Sequence, residues 1–182
     1  MEQERISKLI SRQKEIYFEI QELNQQSFEI QEKLANYILE KETDSKKPSK
    51  KELLESLGFI VSSKYSHGTN MNIIEKDNVK STIIFKKSKF HTSSNYNAWY
   101  TFKPDTTDIV DFVILEFYTL TNKPVYAVLS KALFSQIAEQ TKSLPDGRFH
   151  VFLLGDDQKA MISDLNIDIS ETLNNFDILS QK

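Results

Sequence analysis

Apolar residues recur at helical spacing through the first forty positions, then give way to short runs and alternations. Against a seven-residue repeat, Leu9, Ile16, Leu23, Ile30 and Tyr37 fall at position a. Ile6, Gln13, Ile20, Ser27 and Leu34 fall at position d. Position a stays apolar or aromatic over five heptads, and the positions between are rich in Glu, Gln, Lys and Arg. A helix with one narrow apolar stripe cannot bury that stripe by itself, and a sustained heptad repeat calls for a left-handed supercoil. The pattern predicts a coiled-coil oligomerisation helix over residues 1–42, joined either to copies of the same chain or to a coiled-coil partner protein. Polar Gln13 and Ser27 at d would fix register or partner choice. Ile10, Phe18, Phe28 and Ile38 widen the stripe beyond the seam. A helix lying along its own domain is the alternative.

A polar stretch ends this helix, with residues 43–49 as linker, and the period changes after it. Ser49-Lys50-Lys51-Glu52 has the form of a capping box opening a short helix to Leu57, which Gly58 stops. Strand patterns follow at Phe59–Ser63, Met71–Glu75, Val79–Lys86, Ala98–Phe102, Val110–Tyr118, Val125–Leu129 and Arg148–Leu154. The run Val110–Tyr118 is apolar enough to be buried on both faces. Lys76-Asp77-Asn78, Thr121-Asn122-Lys123-Pro124 and Leu144-Pro145-Asp146-Gly147 predict turns. A helix over Lys131–Lys142 starts at Ser130, and a short one follows Ser170. Residues 50–182 thus predict one mixed α/β domain.

Composition narrows the chemistry. The chain has 182 residues and no cysteine, which removes disulfides, thiolate metal sites and thiol nucleophiles. No apolar run reaches the roughly 18 residues of a membrane span, and the charged start lacks a signal-peptide core, so the expectation is a cytoplasmic protein without membrane partners. The net charge of −3 gives no global attraction for nucleic acid, so any basic patch must be local. His67, His91 and His150 fall in no nucleophile or metal-ligand spacing, and no glycine-rich phosphate loop is present. The acids Asp105, Asp108, Asp111, Asp156 and Asp157 fit turn and capping roles.

The most pointed local feature is Ile83-Ile84-Phe85-Lys86-Lys87-Ser88-Lys89-Phe90-His91, an apolar strand ending in lysines. Lys86, Lys87 and Lys89, with Lys103 and Lys64, could contact phosphates, while Tyr96, Trp99 and Tyr100 stack or pack beside them. Lysines guarding a strand edge are the equal alternative.

The succession Leu53-Leu54-Glu55-Ser56-Leu57-Gly58-Phe59-Ile60-Val61, a hairpin, Asp111-Phe112-Val113-Ile114-Leu115 and Val125-Tyr126-Ala127-Val128-Leu129 resembles restriction-endonuclease-like (PD-(D/E)XK) domains over about residues 50–155. The resemblance implies an α/β mixed-sheet fold, with a metal-binding Asp on the first hairpin strand and E-x-K on the second. This chain offers Asn72 and Ile84 at the acidic positions, and only Lys86 matches. An amide and an isoleucine cannot hold the Mg²⁺ that such cleavage needs. Glu55 is a remnant acid candidate, and Glu75 or Asp77 would serve if the alignment shifts. The resemblance therefore implies a catalytically inactive module without a cofactor, binding nucleic acid (possible DNA contacts through Lys86, Lys87, Lys89 and Lys103) or a partner protein. Such modules belong to restriction, anti-phage or mobile-element systems. An active Mg²⁺-dependent nuclease and a purely structural coiled-coil adaptor are the alternatives.

Overall fold

The computed structural model describes residues 2–41, 48–66, 68–93 and 95–181; within the first helix, side chains are described at 9, 12–27, 29–30 and 33. That helix, α1, spans Glu2–Lys41. Leu9, Ile16, Ile20, Leu23 and Ile30 are all exposed on it, as are Tyr17 and Phe18. The side chains of Ile6, Leu34 and Tyr37 lie outside the described residues, as does most of the 43–49 linker. No helix among the described residues is long and apolar enough to cross a membrane.

The capping box forms as its sequence predicts. Ser49 Oγ accepts from the Glu52 backbone N–H at 3.2 Å, and Glu52 accepts from the Ser49 N–H at 2.6 Å. This starts α2 (Lys50–Ser56), and Gly58 follows it at φ +86°. Strands β1 (Ile60–Ser66), β2 (Thr69–Lys76) and β3 (Val79–Lys87) come next. Asp77 and Asn78 join β2 to β3 at φ +51° and +64°. Two consecutive left-handed residues give the turn whose twist matches a hairpin, and Asp and Asn tolerate that conformation well. The chain continues through β4 (Ala98–Phe102), the one-turn α3 (Thr106–Ile109), β5 (Phe112–Tyr118), β6 (Pro124–Ser130) and α4 (Lys131–Gln140). It ends with β7 (Phe149–Gly155), β8 (Ala160–Ile162), β9 (Ile167–Asp168) and two 3₁₀ turns, Ser170–Thr172 and Phe176–Ser180.

These strands form two sheets, where the sequence pattern predicts one. The first has the order β1-β2-β3-β5-β6, with β3 and β5 parallel and the other neighbours antiparallel. The second is antiparallel, in the order β4-β7-β8-β9. The short β8 and β9 carry too few alternations to be legible in sequence. The run that predicts a strand from Val110 begins two residues later, because α3 occupies 106–109.

Alternation along β5 sorts the core into two layers. Val113, Leu115 and Phe117 face the second sheet and α4, where they meet Tyr100, Phe102, Phe134, Phe149 and Val151. Ile114 faces the other way with Ile83 and Phe85, under Leu54 of α2 and Leu179 of the last turn. The result is helix and 3₁₀ turn, five-stranded sheet, then four-stranded sheet with α4. Each fully buried Leu, Ile or Phe contributes about 1.5–3 kcal/mol through loss of apolar surface.

Candidate functional site

The hairpin register places the site. Pairing between β2 and β3 ends at Asn72 opposite Ile83, while β2 residues 69–71 stay paired to β1. The end of β3 therefore runs on without its β2 neighbour, and a gap opens between residues 68–70 and 84–86. Lys50, the first residue of α2, fills part of it: its Nζ donates to the Phe85 carbonyl at 2.8 Å and lies 5.2 Å from the Phe85 ring centre.

The gap is the mouth of a cleft of about 430 Å³ that draws its lining from both sheets, with Lys50, Lys86, Lys103 and Arg148 together with Gly68, Thr69, Thr101 and Phe102. Lys86 points from β3 toward the second sheet, with Nζ 5.6 Å from the Phe102 ring centre. Lys103 follows β4 and donates to the Gly68 carbonyl at 2.6 Å. Glycine suits this position because its φ is +67°, which a side chain would strain. Arg148 enters from the Leu144–Gly147 turn, where Asp146 Oδ2 accepts from its Nε at 2.6 Å.

The electrostatics follow from this convergence. Burial and the nearby Lys103 charge both hold the Lys86 ammonium below its ordinary pKa of 10.5. Lys50 is also lowered, by burial first, with Glu116 opposing and Lys86 and Lys87 adding to the shift. A cleft that gathers cations at some cost to their charged forms is poised for an anion, whose arrival would relieve the repulsion.

The sequence-predicted lysines divide. Lys86 and Lys103 share the cleft. Lys87 points to the opposite face of β3, where its Nζ lies 3.1 Å from Glu116 Oε1 and 5.1 Å from the Tyr118 ring centre. Tyr118 donates its hydroxyl hydrogen to the same Glu116 oxygen. This side is neutralised: hydrogen bonding to Tyr118, and less so to Glu116, raises the Lys87 pKa despite partial burial. Burial, then Glu116, pushes the Tyr126 phenol up to about 12. Lys89 and Lys64 are exposed and do not line the cleft. Tyr100 is buried and donates to the Glu116 backbone carbonyl at 2.8 Å, so it packs and does not stack with a ligand.

The remnant catalytic positions are not brought together. Ile84 shares the Lys86 face but is part of the core. Asn72 is paired to Ile83 and so belongs to the opposite face. Glu55 is exposed and lies 3.6 Å from Lys51 in an i,i+4 pair. Glu75 sits opposite Lys80, which puts it roughly 20 Å along the hairpin from Lys86 at about 3.3 Å per residue. Asp77 is farther still, in the turn. Among the described residues no group of three or more His, Asp or Glu side chains gathers as metal ligands do. Two of the other predicted acids hold backbone: Asp111 Oδ2 accepts from the Thr82 N–H at 2.7 Å, and Asp156 Oδ1 from Gln158 and Lys159 at 2.8 and 2.9 Å, whereas Asp105, at the start of α3, makes no side-chain cap bond. Asp157 pairs with Lys123 at 2.8 Å. His91 and His150 sit among aromatic rings, and His67 lies outside the described residues.

Sequence reasoning missed Lys50 and Arg148. Lys50 reads as an ordinary first-turn residue and Arg148 as a strand start. No local signal links them to Lys86, because the cleft assembles segments from residue 50 to residue 148. Compared with protein-family profiles, characterised proteins and solved structures, the chain has no significant match.

Proposed function

We propose that this chain is an oligomeric, non-catalytic nucleic-acid-binding module, with a degenerate restriction-endonuclease-like domain whose cationic cleft receives backbone phosphates. The observation that carries the reading is the convergence of Lys86, Lys103, Lys50 and Arg148 on one cleft, with Asp146 pairing to Arg148. Phosphate is the anion best suited to several ammonium groups and one guanidinium at a time. The order α2, β1, the β2–β3 hairpin, β5, β6, α4 supports the resemblance, and Lys86 occupies the lysine position of E-x-K. The second sheet, which starts with β4 between β3 and β5, departs from the expected pattern. With Glu75 and Asp77 at the far end of the hairpin, Lys86 has cations beside it and acts as a phosphate contact.

Assembly is the role of α1. Exposed Leu9, Ile16, Leu23 and Ile30 repeat at seven residues, the spacing of a coiled-coil seam. Joining several weakly binding clefts raises the overall avidity for a long polyanion. The resemblance places such a module in a restriction, anti-phage or mobile-element system.

The test is binding of labelled oligonucleotide to the full chain as a function of salt. Affinity should fall with salt, and Lys86→Ala or Lys103→Ala should each weaken binding and reduce the log–log salt slope by about 1. Binding that ignores both substitutions would sink the cleft as the site. Strand cutting that needs Mg²⁺ and is lost in Lys86→Ala would overturn the non-catalytic part. Undisturbed assembly on replacing Leu23 and Ile30 by Glu would remove the coiled coil.

A further inference from the structure

Five aromatic rings form a continuous strip next to the cleft. Strand alternation sends Tyr100 and Phe102 into the core and leaves Trp99 and Thr101 on the outward face of the four-stranded sheet. On the neighbouring strand Phe152 pairs with Trp99, and His150 pairs with Thr101. The Trp99 and Phe152 rings are within 11° of parallel at 6.4 Å, and His150 meets Trp99 edge-on at 4.9 Å. Tyr96 adds a ring 5.0 Å from Phe152, and His91 closes the strip 5.9 Å from Tyr96. Trp99 is 40% exposed, in a sheet whose inward residues are almost completely buried.

Position and charge argue for one occupant. The next residues along these strands with the same outward parity are Lys103 and Arg148, which line the cationic cleft. Thr101 lines that cleft too, and its Oγ1 is 3.0 Å from His150 Nδ1, so the ring strip and the cleft share a border. A second recess, of about 620 Å³, opens on the other side of His150 and Phe152 against Leu144 and Pro145. One exposed ring, Trp99, flanked by half-buried rings and lying beside a row of cations, matches a polymer with a flat apolar group and a negative charge in each unit. Every nucleobase has a stackable face, and an unpaired strand can present it, while the bases of a duplex are already stacked on one another.

We infer that the outward face of the β4–β7 pair is a stacking surface for single-stranded nucleic acid, with Trp99 and Phe152 taking bases and the strand's phosphates leading into the Lys86–Lys103–Arg148 cleft. The inference rests on the phosphate-binding reading of the cleft and adds the substrate class: unpaired strands in preference to duplex.

Trp99 is the sole tryptophan of the chain, so its emission reports on this face alone. The experiment titrates the full-length protein with oligothymidylate and with a duplex of the same length, following tryptophan emission and the anisotropy of a labelled strand. Expected are quenching by the single strand, little quenching by the duplex, and a loss of single-strand affinity on the order of tenfold to a hundredfold in Trp99→Ala or Phe152→Ala. Unchanged Trp99 emission at saturation, with Trp99→Ala binding like wild type while Lys86→Ala binds weakly, would overturn the stacking surface and leave the cleft standing. Equal quenching by duplex would overturn the preference for unpaired strands. Absence of any binding at low salt would sink both.

Discussion

Lys86 and Lys87 are neighbours in sequence and belong to different worlds in the fold. Lys86 enters a cleft with Lys103, Lys50 and Arg148. Lys87 enters a network with Glu116 and Tyr118, in which its charge is paired within the protein. The pleat of one strand separates them, since successive side chains leave by opposite faces. A cluster of like residues in sequence is therefore no measure of a patch in space. The lysine whose charge is not compensated is the one placed to take a ligand.

The largest way to disturb this contrast is to remove the floor on the Lys86 side. Phe102 is buried against Phe134 and Phe149 while its ring lies under Lys86. Phe102→Ala is expected to cost about 3–5 kcal/mol in denaturant unfolding at fixed protein concentration, and to abolish cleft binding. The next effect belongs to the other side. Glu116→Ala removes the carboxylate that pairs with Lys87 and accepts from the Tyr118 hydroxyl, an expected loss of about 1–3 kcal/mol, reduced by water around the half-exposed lysine. A loss no larger than that of an exposed Glu→Ala would remove the distinction between the two sides.

The two lysines should differ in sign. Lys87→Met removes a paired charge and should destabilise, whereas Lys86→Met removes an uncompensated one and should be neutral or stabilising, by less than about 1 kcal/mol after solvent screening. Both measured by unfolding, equal signs would erase the comparison.

The smallest effect is in the pH dependence. Lys86 has a folded pKa below 10.5, so the folded state loses its proton first as pH rises. The unfolded chain then binds more protons, and stability rises with pH between the lowered value and 10.5. Lys87 is raised above 10.5, so its contribution is complete below that pH and is lost as pH climbs through the folded value. Ligand binding should follow Lys86 and weaken below the ordinary lysine range. Lys86→Arg should move that decline upward, because a guanidinium keeps its charge. A binding curve flat across the alkaline range in the native protein would show that Lys86 does not carry the contact.

Local signals had local outcomes. Ser49 and Glu52 capped α2, Ser130 capped α4 with its Oγ 3.3 Å from the Leu133 N–H, and Asp77-Asn78 made the hairpin turn. The apolar run ending at Tyr118 became an interior strand buried on both faces. Each outcome depends on neighbours a few residues away, whose backbone preferences and hydrophobic period are written in order along the chain. The division into two sheets, the separation of Lys86 from Lys87, and the meeting of Lys50, Lys86, Lys103 and Arg148 depend on more. They follow from where β2 stops pairing with β3 and from how the second sheet packs on Phe102 and Tyr100. Register and packing are set by contacts between residues many positions apart, so only the folded chain decides which charges meet.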